Sequence, residues 1–200
     1  VSDALFSRKY ASIERDIMSS ERYREMTKRH RMIEHQNPLY NLVNHDKVVF
    51  ARDAATRFGR GYSHVSWIDF GAIRSNLRHL PGDIDECKLP SNRVLYQIPA
   101  RSSPAPSGYA RAPEEMAGIK ATYVYGSMWV APVGLIRTYE AVYERELRRF
   151  HHLGVSDDDQ NVVYQLLIAN PHLFACFAHH EWFSLFSSFL NKQSRRPCEG

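Results

Sequence analysis

The 200 residues are 44% hydrophobic and 24% charged, with 26 basic against 22 acidic side chains and a net charge of +4. These are globular values that exclude wholesale disorder, and no run approaches the ~20 apolar residues of a membrane span. The N-terminus lacks a signal-peptide core, so the expectation is one soluble, cytoplasmic domain over residues 1–200. Cys87, Cys176 and Cys198 are widely spaced, odd in number and without a CxxC pair. They read as free thiols of a reducing compartment, with no zinc site and no disulfide. The mild positive charge and the sequence pI of 9.0 permit an anionic ligand such as a nucleotide without demanding nucleic acid.

Residues 1–37 form a polar segment in which Ile13, Ile17 and Met18 make a thin apolar stripe, predicting one or two helices over 1–35. The basic cluster Lys28-Arg29-His30-Arg31 reads as a solvated helix end before it reads as a phosphate patch. Gln36-Asn37-Pro38 breaks the helix. Tyr40 to Phe58 then places Leu42, Val43, Val49, Phe50, Ala54 and Phe58 at helical spacing with Lys47 and Arg52 opposite, and Gly59-Arg60-Gly61 ends it. Tyr62 to Gly71 alternates apolar and small polar residues around Val65, Trp67 and Ile68, the pattern of a buried strand ending at Asp69-Phe70-Gly71.

Residues 72–81 read as a short helix or turn, and Arg93 to Pro99 as a second strand. Residues 100–113, with Pro104, Pro106, Ser102, Ser103, Ser107 and Gly108, form a loop that is either a mobile lid or a surface insertion without a role. A third strand, Ala121 to Tyr125, runs into Gly126-Ser127 and then Met128 to Pro132. Gly134 to Phe150 is an amphipathic helix with Leu135, Ile136, Tyr139, Val142, Tyr143 and Leu147 inward, and Arg145, Glu146, Arg148 and Arg149 outward. Ser156 or Asp157 caps a further helix, Asn161 to Ala169, which Pro171 stops. The Phe-rich stretch Leu173 to Leu190 carries His179, His180, Glu181 and Trp182, and 191–200 is a frayed tail. Alternating helix and strand signals without an internal repeat make the class α/β.

Three groups of residues can carry chemistry: Asp69, the run Asp157-Asp158-Asp159, and His179-His180. Open α/β sheets bind ligands beyond the carboxyl ends of their strands, where a carboxylate either caps the following turn or holds a metal ion. Hard ions such as Mg²⁺ and Mn²⁺ take carboxylate, water and sometimes imidazole ligands, and substrate phosphates complete the shell. Equally, Asp157 to Asp159 can decorate a helix N-terminus. No P-loop, GxGxxG, GxSxG or HExxH is present, which removes the usual NTPase, dinucleotide, hydrolase and zinc-protease readings.

The run Tyr40 to Phe50 (YNLVNHDKVVF), then Trp67-Ile68-Asp69-Phe70-Gly71 and Asp158-Asp159-Gln160 resemble the HtrL/YibB family of glycosyltransferases over about residues 38–175. The resemblance implies a GT-A-like fold, a mixed central sheet flanked by helices. It also implies transfer of a sugar from a nucleotide-diphosphate donor, a UDP-sugar foremost, to a glycan or other hydroxyl acceptor. In that class an Asp-X-Asp motif holds Mn²⁺ or Mg²⁺ with the diphosphate. Here the motif is Asp69-Phe70-Gly71, without its second carboxylate, and His179 or His180 would complete the metal shell.

By the same resemblance Trp67, Gly71, Gly126, Ser127 and Trp129 line the sugar, and Lys47 and Arg74 balance diphosphate charge. Asp158, Asp159 and Gln160 lie on the sugar face, one carboxylate acting as base or stabiliser. GT-A domains open with a nucleotide-binding strand, and no such strand precedes residue 40; either that unit is missing or the helices of 1–35 replace it. The missing carboxylate also suits a glycan- or protein-binding module of the same fold. The basic cluster suits a DNA-base glycosyltransferase, a weaker reading that a steep salt dependence of DNA affinity would support.

Overall fold

The computed structural model describes residues 5–28, 32–69, 86–100, 112–117, 122–180 and 185. The polar N-terminal segment folds as three short helices, α1 (Phe6–Lys9), α2 (Ala11–Ser19) and α3 (Glu21–Thr27). A thin apolar stripe suffices because nearly every turn sends a large side chain inward: Phe6, Tyr10, Ile17 and Tyr23 are buried. Ser20 caps α3, its hydroxyl accepting the Tyr23 N–H at 3.2 Å.

The Gln36-Asn37-Pro38 break is the start of α4 (Pro38–Phe58). Asn37 Oδ1 accepts the Leu39 N–H at 3.0 Å, and Pro38 sits in the first turn, where its missing N–H costs nothing. The phase of α4 differs from the expected one. Val43, Phe50 and Phe58 are 62%, 44% and 68% exposed, whereas Asn41, His45, Asp46 and Lys47 are buried. A count of apolar residues misses this, because polar groups can occupy an inner face wherever other elements supply partners. They do so here: Asn41 Nδ2 donates to Glu34 O at 2.8 Å and Ser156 Oγ at 2.9 Å, and Asp46 accepts the Ser7 N–H at 3.1 Å. His45 Nδ1 lies 2.8 Å from the Tyr143 hydroxyl.

The chain continues through β1 (His64–Ile68), β2 (Val94–Pro99), α5 (Pro113–Ala117), β3 (Tyr125–Pro132), α6 (Ile136–His152), α7 (Asp159–Ala169) and β4 (Phe174–His179). Strand β3 begins at Tyr125, where the third strand was expected to reach its glycine, and continues through Gly126 and Ser127, where its register against β2 shifts between the Gln97–Tyr125 and Tyr96–Trp129 pairs. Strand β4 was not expected. The sheet order is β1-β3-β2-β4, with β3 antiparallel to both neighbours and β4 parallel to β2. The fold is therefore α/β, a mixed open sheet flanked by helices.

Val94, Tyr96, Ile98, Trp129, Ala131 and Phe174 pack against α4, α6 and α7 through Leu42, Val49, Tyr139, Leu147 and Val163. On the other parity Leu95, Met128 and Val130 pack with Leu185. With both faces covered, β2 and β3 read as continuous apolar runs rather than alternating ones. On α6, Glu146 is buried rather than outward, paired with Arg149 at 2.6 Å. Cys176 is a free thiol, but Cys87 is disulfide-bonded, which overturns the free-thiol reading; distance along the chain says nothing of distance in the fold. Among the described residues no helix is long and apolar enough to cross a membrane. The segment 72–81 and the tail 191–200 lie outside the described residues, as do Arg29 to Arg31 and the 101–111 part of the candidate lid.

Candidate functional site

Three parallel strands, β1, β2 and β4, end on one edge of the sheet beside the start of β3. Asp69 follows β1 directly. Its N–H donates to Ser127 O at 2.8 Å, extending the ladder by one bond, so the carboxylate leaves from a fixed backbone. The Trp67 indole N–H donates to Asp69 Oδ1 at 2.6 Å, and the Trp67 ring stacks on Phe50 of α4 at 6.2 Å and 18°.

Lys47 comes to the same point from the inner face of α4. Its Nζ lies 3.3 Å from both Asp69 oxygens, 3.3 Å from Gly126 O and 3.0 Å from Asp159 Oδ2. Lys47 is 6% exposed, while the Asp69 side chain is 33% exposed and that of Asp159 only 6%. Burial alone would lower the Lys47 pKa; Asp159 and Asp69 more than offset it and hold the ammonium above its ordinary value. Burial pushes Asp159 up to about 7 against the opposing Lys47, with Asp158 and Asp69 adding to the rise.

Gly126 completes the contact. A Cβ built on it would stand 2.7 Å and 2.8 Å from the two Asp159 oxygens, so only glycine lets β3 pass the start of α7 this closely.

The other acidic residues of the run have a different task. Asp158 is the N-cap of α7: its Oδ1 accepts the Gln160 N–H at 2.9 Å, and its Oδ2 accepts from Gln160 Nε2 at 2.8 Å. The expected cap at Ser156 or Asp157 is displaced by one or two residues. Asp157 braces the same turn, accepting the Asp158 N–H at 2.9 Å and Asn161 Nδ2 at 2.7 Å. Burial raises Asp158 to about 6 and holds Asp157 well above the usual carboxylate range.

The structure thus brings together Lys47, Trp67, Asp69, Gly126, Ser127 and Asp159, with Asp158 and Gln160 one residue away in the cap. Ser127 Oγ is buried and without a hydrogen-bond partner among the described residues. Trp129, expected to line a sugar, is a core residue instead: it is 1% exposed and packs on Tyr96 at 6.0 Å and Tyr139 at 5.4 Å. His179 ends β4, with β2 and β3 standing between it and β1, a separation on the order of 14 Å at ~4.8 Å per strand. His180, one residue beyond, is exposed. Gly71 and Arg74 lie outside the described residues.

The metal set of Asp69 with His179 or His180 therefore does not fit, because strand order keeps them apart. Among the described residues no three His, Cys, Asp or Glu side chains are grouped to hold an ion.

Sequence reasoning missed Tyr40 and a buried foundation beneath the site. Burial, then Asp158 and Asp159, push the Tyr40 hydroxyl pKa up, which marks this ring, 39% exposed, as their neighbour. Deeper, fully buried Glu14 of α2 accepts from Ser156 Oγ and lies 2.6 Å from His151 Nε2. The Tyr23 hydroxyl donates to Ser156 O at 2.6 Å. Burial lowers His45 to about 4, so its imidazole is neutral at pH 7. The helices of residues 5–28 are thereby tied to the turn that aims Asp159. A lone Glu within Ile13-Glu14-Arg15-Asp16-Ile17 carries no mark separating it from its exposed neighbours.

Comparison of the chain with protein-family models, curated proteins and solved structures returns no match.

Proposed function

We propose that the edge formed by the ends of β1 and β2 and the start of β3 binds a nucleotide-sugar, and that the chain transfers its sugar to a hydroxyl acceptor. The observation that supports this most is the convergence of Asp69, Lys47, Trp67 and Gly126 at the carboxyl end of the sheet, where ligands of open α/β folds sit. A carboxylate a third exposed, braced by an indole N–H and an ammonium, is a preorganised acceptor for sugar hydroxyls. In the transfer the acceptor oxygen bonds to the anomeric carbon, and the bond from that carbon to the diphosphate oxygen breaks, its electron pair leaving with the diphosphate. The acceptor's proton passes to Asp69, the carboxylate of the group that substrate can reach. Asp158 and Gln160 keep the α7 cap, and Asp159 keeps Lys47.

The test is a panel of UDP-, GDP- and CMP-sugars incubated with wild type and Asp69→Asn, with release of free sugar and nucleotide read by NMR. Release by the wild type that falls at least tenfold in Asp69→Asn supports the reading; no binding and no release with any donor overturns it. A second reading, a saccharide-binding module without turnover, is favoured by the ion pair that already engages Asp69. It predicts glycan binding with no donor cleavage.

A further inference from the structure

We infer that Lys47 fills the position between Asp69 and Asp159 that a divalent ion would need, so that Asp69 meets saccharide hydroxyls directly and the site uses no resident metal ion. The inference rests on the nucleotide-sugar reading for its substrate class, but not for its test.

Four oxygens from three separate elements converge on one nitrogen: both of Asp69 after β1, Gly126 O on β3, and Asp159 Oδ2 on α7. Carboxylates with a backbone carbonyl are the donor set of a hard cation, and here the cation is covalently part of α4. Burying a lysine is costly unless opposite charge surrounds it, so its 6% exposure marks a built position rather than a wandering surface side chain. The Trp67 N–H already occupies Asp69 Oδ1 at 2.6 Å, on the carboxylate that a chelated ion would have to engage. An ion shared by Asp69 and Asp159 would be pressed against the ammonium, two cations in one cage. The Asp69 side chain remains 33% exposed, which suits it to a hydroxyl donor.

The experiment is titration of Mn²⁺, without nucleotide, into wild type, Asp69→Asn and Lys47→Met, followed by the EPR signal of free Mn²⁺. Wild type should show no binding that Asp69→Asn removes. Lys47→Met leaves the two carboxylates and the carbonyl facing a vacated position, and should bind Mn²⁺ about tenfold or more tighter than wild type. Binding to wild type that is lost in Asp69→Asn overturns the inference. So does a folded Lys47→Met protein with no gain. If Lys47→Met fails to fold, the wild-type and Asp69→Asn pair still decides. Because no nucleotide is present, this result is separate from the failure of the transferase reading, which would show as sugar nucleotides neither bound nor cleaved.

Discussion

Replacing Gly126 by alanine tests the site at its tightest point. The new Cβ would lie 2.7 Å from Asp159 Oδ2 and 2.8 Å from Oδ1, where ordinary contact begins at 3.4 Å, so about 0.7 Å must be found (3.4 − 2.7). The pairing of β3 with β2 shifts register across residues 126–128, but the strand is held on either side of Gly126, by Tyr125 opposite Gln97 and by Ser127 O accepting the Asp69 N–H. The carboxylate can move only by leaving Lys47, its partner at 3.0 Å. Overpacking of this kind costs about 1–3 kcal/mol. In a chain of this length each kcal/mol lowers Tm by about 2–4 °C, which scanning calorimetry resolves. Gly134→Ala is the control, since its Cβ meets nothing within 4 Å, and it should leave Tm within about 1 °C of wild type. If Gly126→Ala melts with wild type, β3 does not pass Asp159 as described and the site geometry is wrong.

Glu14→Ala removes a fully buried acceptor and strands the Ser156 hydroxyl proton and His151 Nε2, while Ser156 Oγ keeps Asn41 Nδ2; a loss of about 3 kcal/mol is expected in urea denaturation, and a loss below 1 would refute the network. Asp159 titrates at about 7 in the fold against an ordinary 3.8, so between those values the folded chain holds a proton that the unfolded chain has released. Its contribution to stability is therefore greatest at low pH and declines as pH rises from about 4 to about 7. Stability measured for Asp159→Asn relative to wild type should shift in the variant's favour from pH 5 to pH 8, and a difference that does not vary with pH counts against the buried carboxylate. Trp67→Phe keeps the stack on Phe50 but deletes the N–H held by Asp69; stability should change by less than about 1 kcal/mol because Asp69 is partly wet, while donor affinity falls measurably. Equal affinity in both proteins would remove Trp67 from the site.

The strand ending at Asp69, the helix that follows Pro38 and the long amphipathic helix were readable because alternation, capping residues and a 3.6-residue period are local properties. The expected burial of that strand was wrong: β1 lies at the sheet edge, with no residue fully buried and Ile68 37% exposed. The inner face of α4 was not readable. Its period is obscured by Asn41, His45 and Lys47, whose burial depends on partners 115, 98 and 112 residues away: Ser156, Tyr143 and Asp159. The acidic run could be read as either chemistry or cap, and the fold divides it: Asp157 and Asp158 secure the α7 turn while Asp159 faces Lys47. His179 failed as a partner of Asp69 for a topological reason, since strand order is set by long-range pairing that no motif spacing encodes.

The tie between Glu14 and Ser156 has a practical corollary for anyone who would trim this protein. A cut ahead of Pro38 looks harmless on paper, because it discards only charged helices and keeps every strand. It would also take away the underpinning of the corner that holds Asp159 against Lys47, so the shortened chain would keep its sheet while its ammonium lost the anchor behind it.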